Sequence, residues 1–356
     1  MMNEHMGAAV FNGIPGKLHL MKVEVPIIGE NEALLRVAYT GLCHTDVKKI
    51  YHNILNLKKG DSRIFGHEIV GEIVDTGKRV AIFHHVPCED CDPCTEGRHA
   101  QCETYKTIDT TAGYGEPSGG GFAEYVRIPK LVLEKGIIPI PDGVSYEEAV
   151  FIEPLNCALK AVKQFGREIK GYEHFENKPI QRDEPVLVVG QGHTGLMFDQ
   201  LISLYGGRPI ASDTDIFRLQ TAGKYAEILD SNAEERFDKS IISAATPEAV
   251  ESAIRMTKKR GTVIYFGDLM PGNSEWSKLS RFEIPKEENG RLVISSYSSS
   301  YPLHQESADL IFNRDIDVSG LITQRIGLSD LEAAIRGAVE RVIRKKDGSE
   351  EEVLKV

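Results

Sequence analysis

The segment from Pro185 to Gly195 constrains the fold more than any other part of this 356-residue chain. Residues 186–189 are hydrophobic and three of them are β-branched, which predicts a short buried strand. The pattern G-x-G-x-x-G follows at once, at Gly190, Gly192 and Gly195, and leads into a helical pattern. In a dinucleotide-binding βαβ unit the first glycine allows a tight turn and the second allows close approach of a pyrophosphate. The third allows close packing of helix on strand. Three glycines alone are weak support for a nucleotide site, so the prediction depends on the rest of the chain.

The remaining sequence divides into a strand-rich part and an alternating part. Strand-like segments dominate the first 140 residues, and residues 68–74 and 79–83 predict a strand pair joined by a tight turn. Helical patterns begin after a candidate capping box at Ser145 and Glu148. From Pro185 strands and helices alternate, which predicts a doubly wound parallel sheet and hence an α/β fold. The polar stretch between, residues 166–184, predicts a long surface loop.

Composition and charge exclude several classes of protein. A hydrophobic content of 41% and a charged content of 27% are those of an ordinary soluble protein. The net charge of -11 argues against nucleic acid or an anionic membrane as the main partner. No apolar run has the length of a membrane span, and the N-terminus has no signal-like pattern. A cytoplasmic protein is therefore predicted.

Asp213 supports a nucleotide site because it follows the second predicted strand, 23 positions after Gly190. A carboxylate there accepts hydrogen bonds from the adenosine ribose and repels the extra phosphate of NADP, which favours NAD. The alternative is a helix-capping role, since Asp213 and Asp215 both precede a helix. Arg218 could hold a ribose hydroxyl or tolerate a 2′-phosphate. Further candidates for the cofactor site are Thr194 and His44.

Four cysteines form the most specific signal in the chain. Within fifteen residues, which we call the cysteine lobe (residues 88–102), they follow the pattern C-x2-C-x2-C-x7-C at Cys88, Cys91, Cys94 and Cys102. Four thiolates so close together suit a closed tetrahedral zinc site. Disulfides are disfavoured in a cytosolic chain, and an iron–sulfur cluster is the alternative, although neither common ferredoxin spacing matches. We predict a structural zinc with no position left for substrate.

Two short motifs indicate a second metal site. Residues 41–46 read G-L-C-H-T-D and residues 66–68 read G-H-E. Cys43 and His67 are good ligands for a zinc ion that keeps an open position for a substrate oxygen. A single cysteine is usually a core residue and a single histidine usually a hydrogen-bonded loop residue. The cysteine lobe and the nucleotide motif in the same chain favour the metal site.

With these motifs the sequence resembles the zinc-dependent medium-chain alcohol and polyol dehydrogenases. The resemblance covers nearly the whole chain and includes Glu153-Pro154-Leu155 and Asp213. It implies a GroES-like, β-rich catalytic domain over residues 1–154 and a Rossmann NAD-binding domain over residues 155–297. Residues 298–356 would return to the catalytic domain.

The resemblance also implies roles for site residues. Cys43, His67 and Glu153 fall at the catalytic zinc positions, and glutamate as the third is similar to sorbitol, threonine and sugar dehydrogenases. Glu68 matches a nearby carboxylate that can coordinate zinc directly or through water, so either glutamate could complete the site. Asp46 matches the partner of the ligand histidine.

Proton transfer is less well defined by the resemblance. Thr45 matches the hydroxyl that takes the substrate proton. Relatives often carry a histidine five residues after the zinc cysteine, but Lys48 stands there, so Lys48, His52 or water could continue the relay. Serines at 295 and 296 also stand where polyol dehydrogenases carry an arginine beside an aromatic residue, which weakens a sorbitol assignment.

The implied activity is transfer of a hydride from a secondary alcohol (a polyol, sugar or related hydroxyl compound) to NAD. Each chain would hold one catalytic and one structural zinc, in a homodimer or homotetramer. A threonine-type amino-alcohol dehydrogenase is one alternative. A noncatalytic zinc-binding or nucleotide-binding relative is another, which the intact set of Cys43, His67 and Glu153 argues against.

Overall fold

A computed structural model describes residues 4–83, 85–104, 107–108, 120–175, 177–229, 237–244, 246–267, 283–344 and 350–354. Within these residues the first part of the chain forms an antiparallel hairpin, β1-β2, and an antiparallel sheet of order β6-β3-β4-β5-β7. The strands are β1 His5–Phe11, β2 Leu18–Glu24, β3 Ala33–Gly41, β4 Glu68–Ile73, β5 Arg79–Ile82, β6 Tyr125–Ile128 and β7 Ile137–Pro139. The helices are α1 His44–Tyr51, α2 Asp92–Thr95, α3 Lys130–Lys135 and α4 Tyr146–Ala149.

The pairing of β3 with β4 brings two predicted motifs together. In the antiparallel register Gly41, at the end of β3, lies opposite Glu68, at the start of β4. Cys43 is the residue before α1, so the chain turns into the helix directly beside the His67-Glu68 segment. The predicted turn between β4 and β5 is also present, and these strands pair antiparallel.

Helix α1 is held by apolar packing on both sides. Val47 and Ile50 are buried in a cluster with residues of β1, such as Phe11. Leu331 and Ile335 of the late helix α10 (Leu331–Val339) belong to the same cluster. Helix α10 therefore packs against the first part of the chain.

The second part of the chain forms a sheet of order β10-β9-β8-β11-β12-β14-β13 in the described residues. The strands are β8 Pro185–Val189, β9 Arg208–Ser212, β10 Glu227–Ile228, β11 Phe237–Ile242, β12 Thr257–Phe266, β13 Lys286–Glu288 and β14 Arg291–Ser296. Neighbouring strands are parallel, as predicted, except that β13 pairs antiparallel with β14 at the edge. The sheet reverses its winding between β8 and β11, which is where doubly wound folds bind ligands.

The helices of this part are α5 Ile152–Val162, α6 His193–Leu204, α7 Ile216–Ala222, α8 Pro247–Met256 and α9 His304–Phe312. A final antiparallel pair joins β15 Glu340–Arg344 to β16 Glu350–Leu354. Helix α5 packs against α6 on one side and α9 on the other. Its buried Leu155 and Leu159 share one core cluster with Val70 of β4 and Val186 of β8. Helix α5 thus connects the first sheet to the second.

The capping box predicted at Ser145 is present, because its hydroxyl accepts from the Glu148 N–H while the Glu148 carboxylate accepts from the Ser145 N–H. Most of the described residues in the stretch 166–184 are exposed, as predicted for a surface loop. Phe175 in its short 3-10 turn is buried, and the Asn177 amide donates to the carbonyl of Gln164. In the described part of the chain, no helix combines the length and apolar character needed to span a membrane.

Candidate active site

Cys43, His67 and Glu68 form a compact group of possible metal ligands, which we call the catalytic group. One donor atom from each lies within 4.8 Å of the others. The three residues come from the start of α1 and the start of β4, which the β3-β4 register places side by side. Two of them were predicted as zinc ligands and the third as a nearby carboxylate.

Gly41 explains why Glu68 reaches this position. A Cβ atom at Gly41 would lie 1.8 Å from Glu68 Oε2, so any other residue would displace the carboxylate. The glycine opposite Glu68 therefore leaves the space in which its side chain turns toward Cys43. The motif G-x-C therefore contains a steric requirement as well as a predicted ligand.

Glu153 lies beside the catalytic group and is buried in the first turn of α5. It is not among the residues whose donor atoms lie within 4.8 Å of one another. Its Oε1 atom accepts a weak hydrogen bond from the Cys157 thiol at 3.6 Å. Its negative charge nevertheless acts on Glu68, which places the two carboxylates close together.

The electrostatics of the catalytic group fit a bound cation. Burial raises the pKa of Glu68 to about 8, with the charges of Glu153 and Asp46 adding to the effect against that of His67. Burial also raises the pKa of the Cys43 thiol. In the described residues the buried Oε1 atom of Glu68 has no hydrogen-bond partner. A set of crowded acceptors with an unused lone pair is what a thiol–imidazole–carboxylate zinc site requires.

Asp46 orients His67 as predicted for a ligand histidine. The Asp46 Oδ1 atom lies 3.1 Å from His67 Nδ1 and also accepts from the Gly66 N–H at 3.3 Å. Burial opposes a charge on the imidazole, but Asp46 and Cys43 together hold the pKa of His67 well above its ordinary value. With Nδ1 directed at Asp46, Nε2 would be the nitrogen that binds a metal.

The residues proposed for proton transfer lie on α1. Thr45 is exposed in its first turn, whereas Lys48 is buried one turn later. Burial of the ring lowers the pKa of His44 to about 4, and the positive charges of Lys48, His193 and Arg218 add to this effect. The start of α1 therefore faces the start of α6.

The cysteine lobe brings its four thiols together, with Cys88, Cys91, Cys94 and Cys102 each offering a sulfur within 4.8 Å of the others. The N–H groups of Cys88 and Cys91 donate to the sulfurs of Cys102 and Cys88, both at 3.4 Å. Such N–H···S contacts favour thiolates, and hydrogen bonds led by that of Thr104 lower the pKa of Cys88 to about 6.

Each glycine of the nucleotide motif stands in a different steric environment. Gly190 has φ of 98°, and a Cβ there would lie 2.8 Å from the Ala244 nitrogen. A Cβ at Gly195 would lie 2.0 Å from the Gly190 carbonyl oxygen. At Gly192 the nearest atom would be Arg218 Nη1, at 3.7 Å. The fold itself demands glycine at 190 and 195, whereas at 192 it leaves room for the close approach of a ligand.

Asp213 accepts a hydrogen bond from the loop that carries the nucleotide motif. Its Oδ2 atom accepts from the Gln191 N–H at 2.6 Å and lies 3.6 Å from Arg218 Nη1. Its Oδ1 atom accepts from the Asp215 N–H. Asp215, not Asp213, caps α7 by accepting from the Phe217 N–H at 2.9 Å. The capping alternative therefore applies to Asp215.

Sequence reasoning missed a set of contacts between α5 and the segment 297–300. Asn156 accepts from the Ser300 N–H at 2.6 Å and donates to its carbonyl, and Lys160 donates to the Tyr297 carbonyl at 2.7 Å. His85 lies 2.8 Å from the Ser298 hydroxyl. Asn156 and Lys160 follow Glu153 by three and seven positions, so helical spacing was the available signal.

Comparison with known proteins identifies the family. Residues 29–142 match the alcohol dehydrogenase GroES-like domain. The chain is 30% identical over 287 residues to L-galactonate-5-dehydrogenase of Escherichia coli (strain K12), which covers 74% of this chain and 76% of that protein. It is 27% identical to L-threonine 3-dehydrogenase of Mesorhizobium japonicum, over 89% of this chain and 91% of that protein. The solved structure of L-idonate 5-dehydrogenase from E. coli has a TM-score of 0.73 at 19% identity, covering 94% of each chain.

The chain therefore belongs to the zinc-dependent medium-chain alcohol and polyol dehydrogenases. The family predicted from the motifs is confirmed, as is the combination of a GroES-like part with a Rossmann-type sheet.

Proposed function

We propose that the protein transfers a hydride from a secondary alcohol to NAD, and that the alcohol is a polyol, a sugar or a related hydroxyl compound. The observation that carries the proposal is the catalytic group itself. Cys43, His67 and Glu68 converge within 4.8 Å, with Glu153 buried beside them. The similarity to L-galactonate-5-dehydrogenase supports the same class of reaction.

Cys43 and His67 would hold the catalytic zinc, together with Glu68 or Glu153. Zinc in such a site polarises an alcohol oxygen and lowers its pKa. Asp46 would keep the imidazole of His67 in one orientation through its bond to Nδ1. The four cysteines of the lobe would hold a second, structural zinc.

Gly190, Gly192 and Gly195 would place the pyrophosphate of NAD at the start of α6, with Thr194 beside it. NAD accepts the hydride from the alcohol carbon. The space left at Gly192 supports this placement, because the protein alone gives no steric reason for glycine there. Arg218 lies beside Gly192, and its charge acts on His44. Arg218 would supply positive charge for the phosphates, and His44 would supply a hydrogen bond.

The Thr45 hydroxyl would take the proton of the alcohol. Its exposed position in the first turn of α1, two residues after Cys43, supports this role. Lys48, His52 or water would carry the proton onward. Asp213 would bind the adenosine ribose, and its carboxylate favours NAD over NADP.

A threonine-type amino-alcohol dehydrogenase is the second candidate, favoured by the similarity to L-threonine 3-dehydrogenase. A panel of polyols, sugar acids and L-threonine, each with NAD and NADP, separates the two when NADH formation is followed by absorbance. A zinc count near two per chain is expected. Turnover of L-threonine above all polyols would replace the first candidate, and no turnover of any alcohol would reject both.

We also propose the domain division 1–154, 155–297 and 298–356. The burial of Leu331 and Ile335 in one cluster with Val47 and Ile50 supports the return of the last segment. A cytoplasmic location and a homodimeric or homotetrameric state complete the proposal. Cysteines placed as metal ligands favour a reducing compartment.

A further inference from the structure

One histidine of the nucleotide motif has no part in the roles described so far. His193 follows Gly192 directly and is the first residue of α6. Its side chain is exposed, in contrast to the buried Leu196 and Met197 that follow in the same helix. The pattern G-x-G-x-x-G requires no particular side chain at this position. An imidazole here therefore calls for an explanation of its own.

The start of α6 offers backbone donors to an anion. Gly192 is the residue before the helix, and no side chain caps it. The first bond within the helix runs from the Leu196 N–H to the Gly192 carbonyl. The three N–H groups before Leu196 therefore have no partner within the helix. Such a helix start attracts phosphate groups.

Basic side chains from two other elements lie at this helix start. Arg218 of α7 places Nη1 3.7 Å from the point where a Cβ of Gly192 would lie. The charge of Arg218 acts on the rings of both His193 and His44, and the charge of His193 acts on His44. Basic side chains from α1, α6 and α7 therefore lie around the space that Gly192 leaves open.

The positive charge at His193 is not offset by a neighbouring carboxylate in the described residues. Burial and the charge of Arg218 act on the ring, and together they lower the pKa of His193 to about 4. Asp213 lies 3.6 Å from Arg218, but its carboxylate already accepts from the N–H groups of Gln191 and Asp215. Basic groups held together in this way are typical of a site for an anion.

Charged groups on the elements that pack against α6 form ion pairs of their own. These pairs are Lys160–Glu283 and Lys163–Glu306 from α5, and Arg208–Glu227 from β9. The other titratable groups of α5, Glu153 and Cys157, lie beside the catalytic group and are bonded to each other. β8 carries no charged residue, and Asp199 is buried in the second turn of α6. Arg218 and His44 are thus the groups whose charges bear on His193.

We propose that the His193 side chain binds the pyrophosphate of the dinucleotide and takes up a proton from solvent as the dinucleotide binds. This inference rests on the proposed placement of NAD at the start of α6. A protonated imidazole can donate to a phosphate oxygen in a charge-assisted hydrogen bond. The phosphate charges also offset the repulsion between His193 and Arg218.

Proton uptake makes the affinity for the dinucleotide depend on pH. The bound phosphate stabilises the imidazolium, so the pKa of His193 is higher in the complex than in the free protein. Affinity should therefore rise as pH falls. The rise should end at about pH 4, where His193 is protonated without a ligand.

Titration calorimetry tests the proton directly. Wild type is titrated with NADH at about pH 6 in two buffers of different ionisation enthalpy, which gives the number of protons taken up. We expect about half a proton or more for wild type and clearly less for His193→Gln, whose amide can donate but cannot titrate. His44 is present in both proteins, so the difference between them belongs to His193. Equal uptake in the two proteins would overturn the proton step.

The dissociation constant for NADH, measured by fluorescence titration, tests the contact. In His193→Ala it should rise about tenfold at about pH 6 and about threefold or less at about pH 8. The unfolding temperature should stay the same, because the His193 side chain is exposed. His174→Ala, which removes an exposed histidine of the stretch 166–184, is the matched control and should bind NADH like wild type. Unchanged affinity in His193→Ala would overturn the contact.

ADP and adenosine locate the contact within the dinucleotide, because only ADP carries the pyrophosphate. His193→Ala should weaken the binding of ADP and leave that of adenosine unchanged. Equal losses for the two ligands would overturn the assignment to the pyrophosphate. A protein that binds NADH with the expected pH dependence but oxidises no alcohol would retain this inference while the proposed function fails. If wild type binds neither NADH nor NADPH, both fail.

Discussion

The cysteine lobe takes its four thiols from fifteen consecutive residues, whereas Cys43, His67 and Glu153 are spread over more than a hundred. In the lobe, local turns and the short helix α2 place the sulfurs. The register of β3 on β4 places the catalytic group, and the packing of α5 places Glu153 beside it. The lobe can form its site locally, while the catalytic group exists only once the tertiary fold is complete.

The electrostatics of the two clusters overlap in part. In the lobe, hydrogen bonds lower the pKa of Cys88 to about 6, whereas burial raises that of Cys94 to about 12. Burial raises the pKa values of Cys43 and Glu68 in the catalytic group, with Glu153 adding repulsion at Glu68. The difference that remains is in the donors, because a zinc site that binds substrate has fewer sulfur ligands than a closed four-cysteine site.

Cys43→Ser should have the largest effect of the changes considered. Loss of a zinc ligand removes several kcal/mol of charge stabilisation in the transition state, so kcat/KM should fall by about a thousandfold or more. The zinc count should drop from two to one per chain while the unfolding temperature changes little. Activity near wild type in protein shown to hold one zinc would break the proposed difference between the two clusters.

The sequence was sufficient for features that depend on local chemistry. The capping box at Ser145 and the strand before Gly190 follow from short-range signals, and the structure has both. The four-cysteine spacing also predicted a cluster that the structure brings together. Each of these features is determined within at most fifteen consecutive residues.

Features that depend on distant contacts were not predictable. Glu68, and not Glu153, forms a group with Cys43 and His67 within 4.8 Å, which depends on strand register and on the space left at Gly41. The antiparallel edge strand β13 is only three residues long and has no clear strand pattern. The burial of Phe175 results from its packing against the core of the second part of the chain.

Cys94→Ser tests the cysteine lobe, the second of the two clusters compared above. Cys94 is buried in the lobe, so its loss should release the structural zinc and lower the unfolding temperature by about 5–10 °C, equivalent to a few kcal/mol. At 25 °C the folded variant should keep most of its turnover. Loss of activity without loss of stability would mean that the lobe contributes to the chemistry and not only to structure.

Asp46→Asn changes the partner of the predicted ligand His67 and leaves the predicted zinc ligands themselves unchanged. Asparagine has the same size but removes the charge beside His67 Nδ1, so zinc affinity or kcat/KM should fall about 10–100-fold. Zinc competition with a chelator separates the two effects. Asp92→Asn, an acidic residue of the lobe, is the matched control and should change neither quantity. An Asp46→Asn protein with wild-type zinc affinity and turnover would remove Asp46 from the site.

Cys157→Ala should have the smallest effect on activity. This variant tests whether Cys157 is a second thiol ligand beside Cys43. The Cys157 thiol lies 3.6 Å from Glu153 Oε1, and burial raises its pKa well above the usual range, with the charge on Glu153 adding to the effect. The thiol is a weak donor to the carboxylate, and in the described residues Cys157 is not in a group of donor atoms within 4.8 Å of one another. We therefore expect an unchanged zinc count and a loss in kcat/KM of less than about tenfold, from the missing hydrogen bond to Glu153. Loss of one zinc per chain would instead identify Cys157 as a zinc ligand. The catalytic site would then have two thiol ligands and would resemble the lobe more closely.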